Sequence, residues 1–90
     1  MSKCCLKALV TGKVQGVWYR KATQQQARKA GVTGHARNLA DGRVEVLLCG
    51  EAGNVDAVAQ WLWEGPPNAQ VTDVVVEDVE WQDFDAFVTL

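Results

Sequence analysis

The order in which strand-like and helix-like segments follow one another constrains this 90-residue chain more than any other feature. Residues 4–11, CCLKALVT, alternate, with Leu6, Ala8 and Val10 on one face and Cys5, Lys7 and Leu9 on the other, as a strand requires. KATQQQARKAG, starting at Lys21, consists largely of strong helix formers and ends in Gly31, a helix-terminating signal. Its apolar positions Ala22, Ala27 and Ala30 are small, so this helix is expected to lie close to whatever it covers. Asp41-Gly42 tolerates the positive φ of a tight hairpin turn, which predicts paired strands over 35–39 and 43–49. Val44, Val46 and Leu48 share one face of the second. In NVDAVAQWLWEGPP, Val55, Val58, Ala59 and Leu62 recur at helical spacing, with Asn54 read as the N-cap and Asp56 in the first turn. Gly65-Pro66-Pro67 ends that helix, AQVTDVVVEDVEW reads as a strand, and FDAFVTL as a short terminal one.

The resulting order, β-α-β-β-α-β with a small extra strand, predicts an α+β fold in one domain spanning residues 1–90. Two helices with one apolar stripe each need one sheet face to cover. The expectation is a ferredoxin-like sandwich: an antiparallel sheet with two helices on one face. In that topology the first strand lies antiparallel to the third at the sheet centre. Cys5 and Cys49 then become neighbours on the face away from the helices, while Cys4 points the other way. A disulfide between Cys5 and Cys49 is geometrically allowed.

Composition narrows the function classes. No apolar run approaches the roughly 20 residues of a membrane span, and Lys7 interrupts the short apolar run near the amino terminus. A cytoplasmic protein follows as the default, in which thiols stay reduced; the disulfide is the alternative. Three cysteines without metal-ligand spacing and a lone His35 predict no metal site. All nine basic residues lie between Lys3 and Arg43 and all eleven acidic ones between Asp41 and Asp85, with a net charge of −2. Either the fold interleaves the halves and the charges average out, or a local positive field remains for a small anion. Nucleic acid is not expected, because the basic residues are scattered and the central strands LKALVT and VEVLLC carry no aromatics for stacking bases.

The stretch GKVQGVWYR, residues 12–20, joins the first strand to the first helix. Glycines at 12 and 16 let the chain curl so that backbone N–H groups at the helix start, which have no partner within the helix, converge as an anion nest. Arg20 adds a planar fork able to grip two oxygens at once. Asn38, just before the Asp41-Gly42 turn, is in isolation a turn-flanking residue; its carboxamide can also hold a water by accepting one proton and donating another.

Taken together, GKVQGVWYR, GHARNLADGRVEV and WLWEGPPNAQVTDV resemble the acylphosphatase family, over most of the chain up to about Val75. The paired motifs G-x-V-Q-G-V-x-[FY]-R and G-x-x-x-N-x-x-D-G carry the resemblance. It implies the ferredoxin-like sandwich and hydrolysis of the carboxyl–phosphate bond of acyl phosphates, without metal or cofactor. It further implies that Arg20 binds the phosphoryl group with the backbone N–H groups of Gln15, Gly16, Val17, Trp18 and Tyr19, and that Asn38 orients the attacking water. Inorganic phosphate is then a product or inhibitor, and the protein a monomer with neither nucleic acid nor membrane as partner. The chain departs from the family at Trp18, a position often small, at Tyr19, where phenylalanine is commoner, and in its FVTL ending. The reading from a different class is a non-catalytic anion-binding or interaction module, which needs Arg20 but not Asn38.

Overall fold

The computed structural model describes residues 2–90. Seven elements follow one another: β1 (Lys3–Lys13), α1 (Tyr19–Lys29), β2 (Thr33–Asn38), β3 (Val44–Glu51), α2 (Ala52–Leu62), β4 (Gln70–Val79) and β5 (Phe87–Thr89). The strands form one sheet in the order β4-β1-β3-β2-β5, so β1 and β3 are central neighbours as expected. β1 pairs antiparallel with β3 and β4, and β2 antiparallel with β3. β5 pairs parallel with β2, which adds one parallel edge to the ferredoxin-like sheet and makes it mixed.

The alternation read from the sequence sets the two faces. Ala8 and Val10 of β1, Ala36 of β2 and Val44, Val46 and Leu48 of β3 join Tyr19 and Ala27 of α1 and Val55, Val58 and Leu62 of α2 in one buried cluster. Each fully buried Val or Leu side chain there stabilises the fold by roughly 1.5–3 kcal/mol. Ala27, buried in the last turn of α1, is small enough to let the helix backbone approach the sheet. That helix ends as the sequence predicts: Gly31 has φ 69°, its N–H donates to the Arg28 carbonyl, and the Val32 N–H reaches back to the Ala27 carbonyl.

Asn54 is not the cap of the second helix. α2 begins at Ala52 with Glu51 in the capping position, no side chain caps it, and its first turn carries no acidic residue. The reason is tertiary. β3 runs straight into α2, Glu51 still pairs with Lys3 of β1, and the Ala52 N–H donates to the Ser2 carbonyl at 2.9 Å. The cap is thereby fixed by the sheet at Glu51, three residues before Asn54.

On the opposite face, Cys5 and Cys49 stand directly across from each other in the β1–β3 register, with Cα atoms 4.1 Å apart and their sulfurs at bonding distance. Leu47, Val79 and Phe84 pack around them. Residues 80–86 cross this face from β4 at one edge to β5 at the other, and the Gln82 N–H donates to Cys5 Sγ at 3.3 Å. Among the described residues no helix is long and apolar enough to cross a membrane.

Candidate active site

The loop between β1 and α1 is shaped from both ends. At the strand end a bulge falls between Thr11 and Gly12 in the pairing with β4. Gly12, at φ 133°, approaches β4 so closely that a Cβ there would lie 2.0 Å from the Gln70 carbonyl oxygen. No side chain fits, and β1 continues along β4 to Lys13. Val14 is then buried and pins the chain. Gly16 (φ 74°) and Trp18 (φ 69°) both turn left-handed, with Val17 between them on the ordinary side. Such alternation of hand leaves successive N–H groups free of backbone partners. At the helix end Trp18 occupies the N-cap, and its carbonyl accepts the Ala22 N–H at 2.9 Å.

The unspent donors are the main feature of the site. Among the described residues, no N–H of Gln15, Gly16, Val17, Trp18 or Tyr19 donates to a backbone or side-chain oxygen. No side chain caps α1, and its first turn holds no carboxylate. The partial positive charge at this helix start is therefore uncompensated, an environment suited to an anion.

Arg20, in the first turn of α1, directs its guanidinium along β5. Its Nη1 donates to the Leu90 main-chain oxygen at 2.5 Å. One turn later Gln24, which is buried, donates to the Phe87 carbonyl at 3.0 Å. This i, i+4 pair docks the terminal strand against α1, and the Leu90 N–H bonds the Ala36 carbonyl at 2.9 Å to hold β5 on β2. The sequence reading missed both roles. The spacing of Arg20 and Gln24 was visible, but the strand that they hold is too short to show a period.

Gln15 contributes more than a backbone N–H. Its Nε2 donates to the Leu39 carbonyl at 2.8 Å and the Arg43 carbonyl at 3.0 Å, clamping the loop to the β2–β3 hairpin. Asn38 ends β2 one residue before that clamp, opposite Val44 and exposed. A cavity of about 420 Å³ opens at the loop, lined by Val14, Gly16, Trp18, Tyr19, Arg20, Lys21 and Thr89. The structure thus gathers Gly16, Trp18, Tyr19 and Arg20 around one space, with Gln15 as the clamp, and leaves Val17 and Asn38 outside the lining. Val14, Lys21 and Thr89 were not anticipated as lining residues.

Part of the basic charge is neutralised away from this cavity. Lys7 pairs with Glu77 across β1 and β4, Arg37 with Glu45, and Arg43 with Asp41. Among the described residues neither Arg20 nor Lys21 pairs with an Asp or Glu side chain, although both line the cavity. Also among these residues, no group of three or more His, Cys, Asp or Glu side chains is arranged to hold a metal ion.

A ferredoxin-like sandwich whose first β–α junction offers unspent N–H groups beside an arginine without an acidic side-chain partner defines a small α+β domain with a surface suited to an anion. Residues 6–89 match the acylphosphatase family. An acylphosphatase of Chromohalobacter salexigens is 66% identical over 76 residues, covering 84% of this chain and 84% of the relative. The structure of an acylphosphatase from Coxiella burnetii superimposes with a TM-score of 0.94 at 38% identity, covering 98% of this chain and 93% of that one. That of Bacillus subtilis acylphosphatase gives 0.92 at 30% identity, over 96% and 97% of the two chains. The chain belongs to the acylphosphatase family.

Proposed function

We propose that this protein is a metal-independent hydrolase of the carboxyl–phosphate bond of acyl phosphates, with carboxylate and inorganic phosphate as products. Family membership supports the reaction. The observation that carries the site assignment is the run of unspent N–H groups from Gln15 to Tyr19 beside Arg20. In this reading the phosphoryl oxygens take those N–H groups and the free donors of the Arg20 guanidinium, while Leu90 holds the guanidinium in place. Asn38 orients water for attack on phosphorus. As the new P–O bond forms, the bond to the acyl oxygen breaks, its electron pair leaves with the carboxylate, and a phosphoryl oxygen takes the proton of water. A carboxylate is a good leaving group and the transition state is loose, so water needs little deprotonation before attack. Positioning and charge stabilisation then suffice without a strong base.

The chain acts as a single-domain monomer in the cytoplasm, on a small-molecule substrate and without nucleic acid or membrane. A non-catalytic anion module accounts for Arg20 but gives Asn38 nothing to do. The test is hydrolysis of benzoyl phosphate in the presence of chelator by wild type, Arg20→Ala and Asn38→Ala, each checked for folding. Metal-independent turnover reduced about 10²–10³-fold or more in both variants is expected, the scale of losing a transition-state donor. A folded wild type that binds phosphate through Arg20 without turnover leaves the module reading instead.

A further inference from the structure

Trp18 is the most exposed of the large apolar side chains, at 73%. It joins neither buried cluster and stacks on no other ring; it is Trp61 that stands beside Tyr19, with ring centroids 6.0 Å apart. Trp18 is also the one described residue other than glycine at positive φ, a conformation that a bulky L-residue adopts at an energetic cost. A side chain that adds nothing to the core, on a backbone that asparagine or glycine would fit more comfortably, needs another role.

Its position supplies one. Trp18 lines the cavity of about 420 Å³ together with Arg20, Lys21 and Thr89. Its carbonyl is bound to the Ala22 N–H, so the backbone beneath the ring is fixed by the helix before any ligand arrives. The other aromatic lining residue, Tyr19, is buried and its hydroxyl is committed to the Leu62 carbonyl. With the phosphoryl group on the loop N–H groups and Arg20, the acyl group has to leave the loop through the open part of this cavity. The indole is the apolar surface that it meets there.

We infer that Trp18 is the specificity-determining residue of this acylphosphatase, an aromatic platform that favours acyl phosphates with a planar aromatic or extended apolar acyl group over those with a small one. The inference rests on the hydrolase reading above and names the substrate class within it. Phosphate contacts are common to all such substrates and cannot discriminate among them; ring-on-ring contact can.

The experiment compares kcat and KM for benzoyl phosphate and acetyl phosphate in wild type, Trp18→Gly and Trp18→Phe. Glycine accepts the φ of 69° without a side chain, so this variant removes the ring and keeps the loop. Trp18→Gly is expected to lower the ratio of kcat/KM for benzoyl phosphate to that for acetyl phosphate by about two- to tenfold, chiefly through KM for benzoyl phosphate. Trp18→Phe is expected to restore most of the loss. Equal losses on both substrates would make Trp18 a loop-shaping residue, and an unchanged benzoyl-to-acetyl ratio would equally overturn the assignment while leaving the hydrolase intact. A folded wild type that hydrolyses neither substrate overturns the hydrolase reading itself, and this assignment with it.

Discussion

Tyr19 stands immediately before Arg20, is 1% exposed, and donates its hydroxyl to the Leu62 carbonyl at 2.5 Å. The hydroxyl that distinguishes it from phenylalanine thus closes the end of α2 onto the start of α1. Tyr19→Phe is expected to destabilise by about 1 kcal/mol, because a buried acceptor loses its donor, with turnover kept within about twofold. A urea titration paired with a rate assay checks both. Burial also pushes the Tyr19 phenol up from its ordinary value of 10.0. The folded state therefore keeps it neutral, and its contribution to stability is complete below that value and lost as pH rises above it. Wild type should lose stability in the alkaline limb by a component that Tyr19→Phe lacks. At Gln15 the expected loss is catalytic. Without its bonds to the Leu39 and Arg43 carbonyls, the phosphate loop is no longer held against the hairpin carrying Asn38. Gln15→Ala should lower kcat about ten- to a hundredfold, as small misplacements of reacting groups do. A kcat that stays at the wild-type value would remove the clamp from the account.

The β2–β3 hairpin carries a second polar cluster on the face away from the helices. Glu45 accepts from Arg37 Nε at 2.9 Å and Nη2 at 3.3 Å, and its Oε2 lies 3.0 Å from His35 Nε2. Its partial burial raises the carboxyl, but the hydrogen bonds from His35 and Arg37 outweigh this and hold it below its ordinary value. Its stabilising contribution is present above the ordinary carboxylate range and lost as pH falls through the folded value. Glu45→Gln should therefore lower the urea midpoint near neutrality, with the difference from wild type shrinking in acid; a constant difference would remove the charged contacts as its cause. The hairpin itself was legible because Asp41-Gly42 and the alternation of Val44, Val46 and Leu48 are local signals. The start of α2 was not, because the Ala52 N–H bonds Ser2 at the far end of the sequence, outside any local window. Nor was the hold of Gln24 on β5, since QQQ reads as an exposed helical run until a strand lies beside it.

At the scale of the molecule, strand order makes neighbours of residues far apart in sequence. The Cys5–Cys49 register was legible once β1 and β3 were placed side by side, since alternation alone then fixes the shared face. The two sulfurs lie at bonding distance, and we propose that they bond in protein kept without reductant. The bond would close 44 residues of chain and link the two central strands beneath residues 80–86. The expectation for protein purified without reductant is one titratable thiol, Cys4, and a loss of about 2–4 kcal/mol on reduction; three thiols in non-reducing denaturant would exclude the bond. The β1–α1 loop was legible as a glycine-framed turn but not in its handedness: nothing local announces that Trp18 turns left-handed, because the helix behind it and the pinned Val14 before it impose that turn. The central claim is that the Gln15–Tyr19 N–H groups and Arg20 together hold a phosphoryl group. Titrating inorganic phosphate into the isotope-labelled protein and following backbone amide resonances tests it directly. Saturable shifts concentrated at residues 15–20 in wild type, and abolished in folded Arg20→Ala, are the predicted result. Shifts centred elsewhere, or unchanged in the variant, would contradict it.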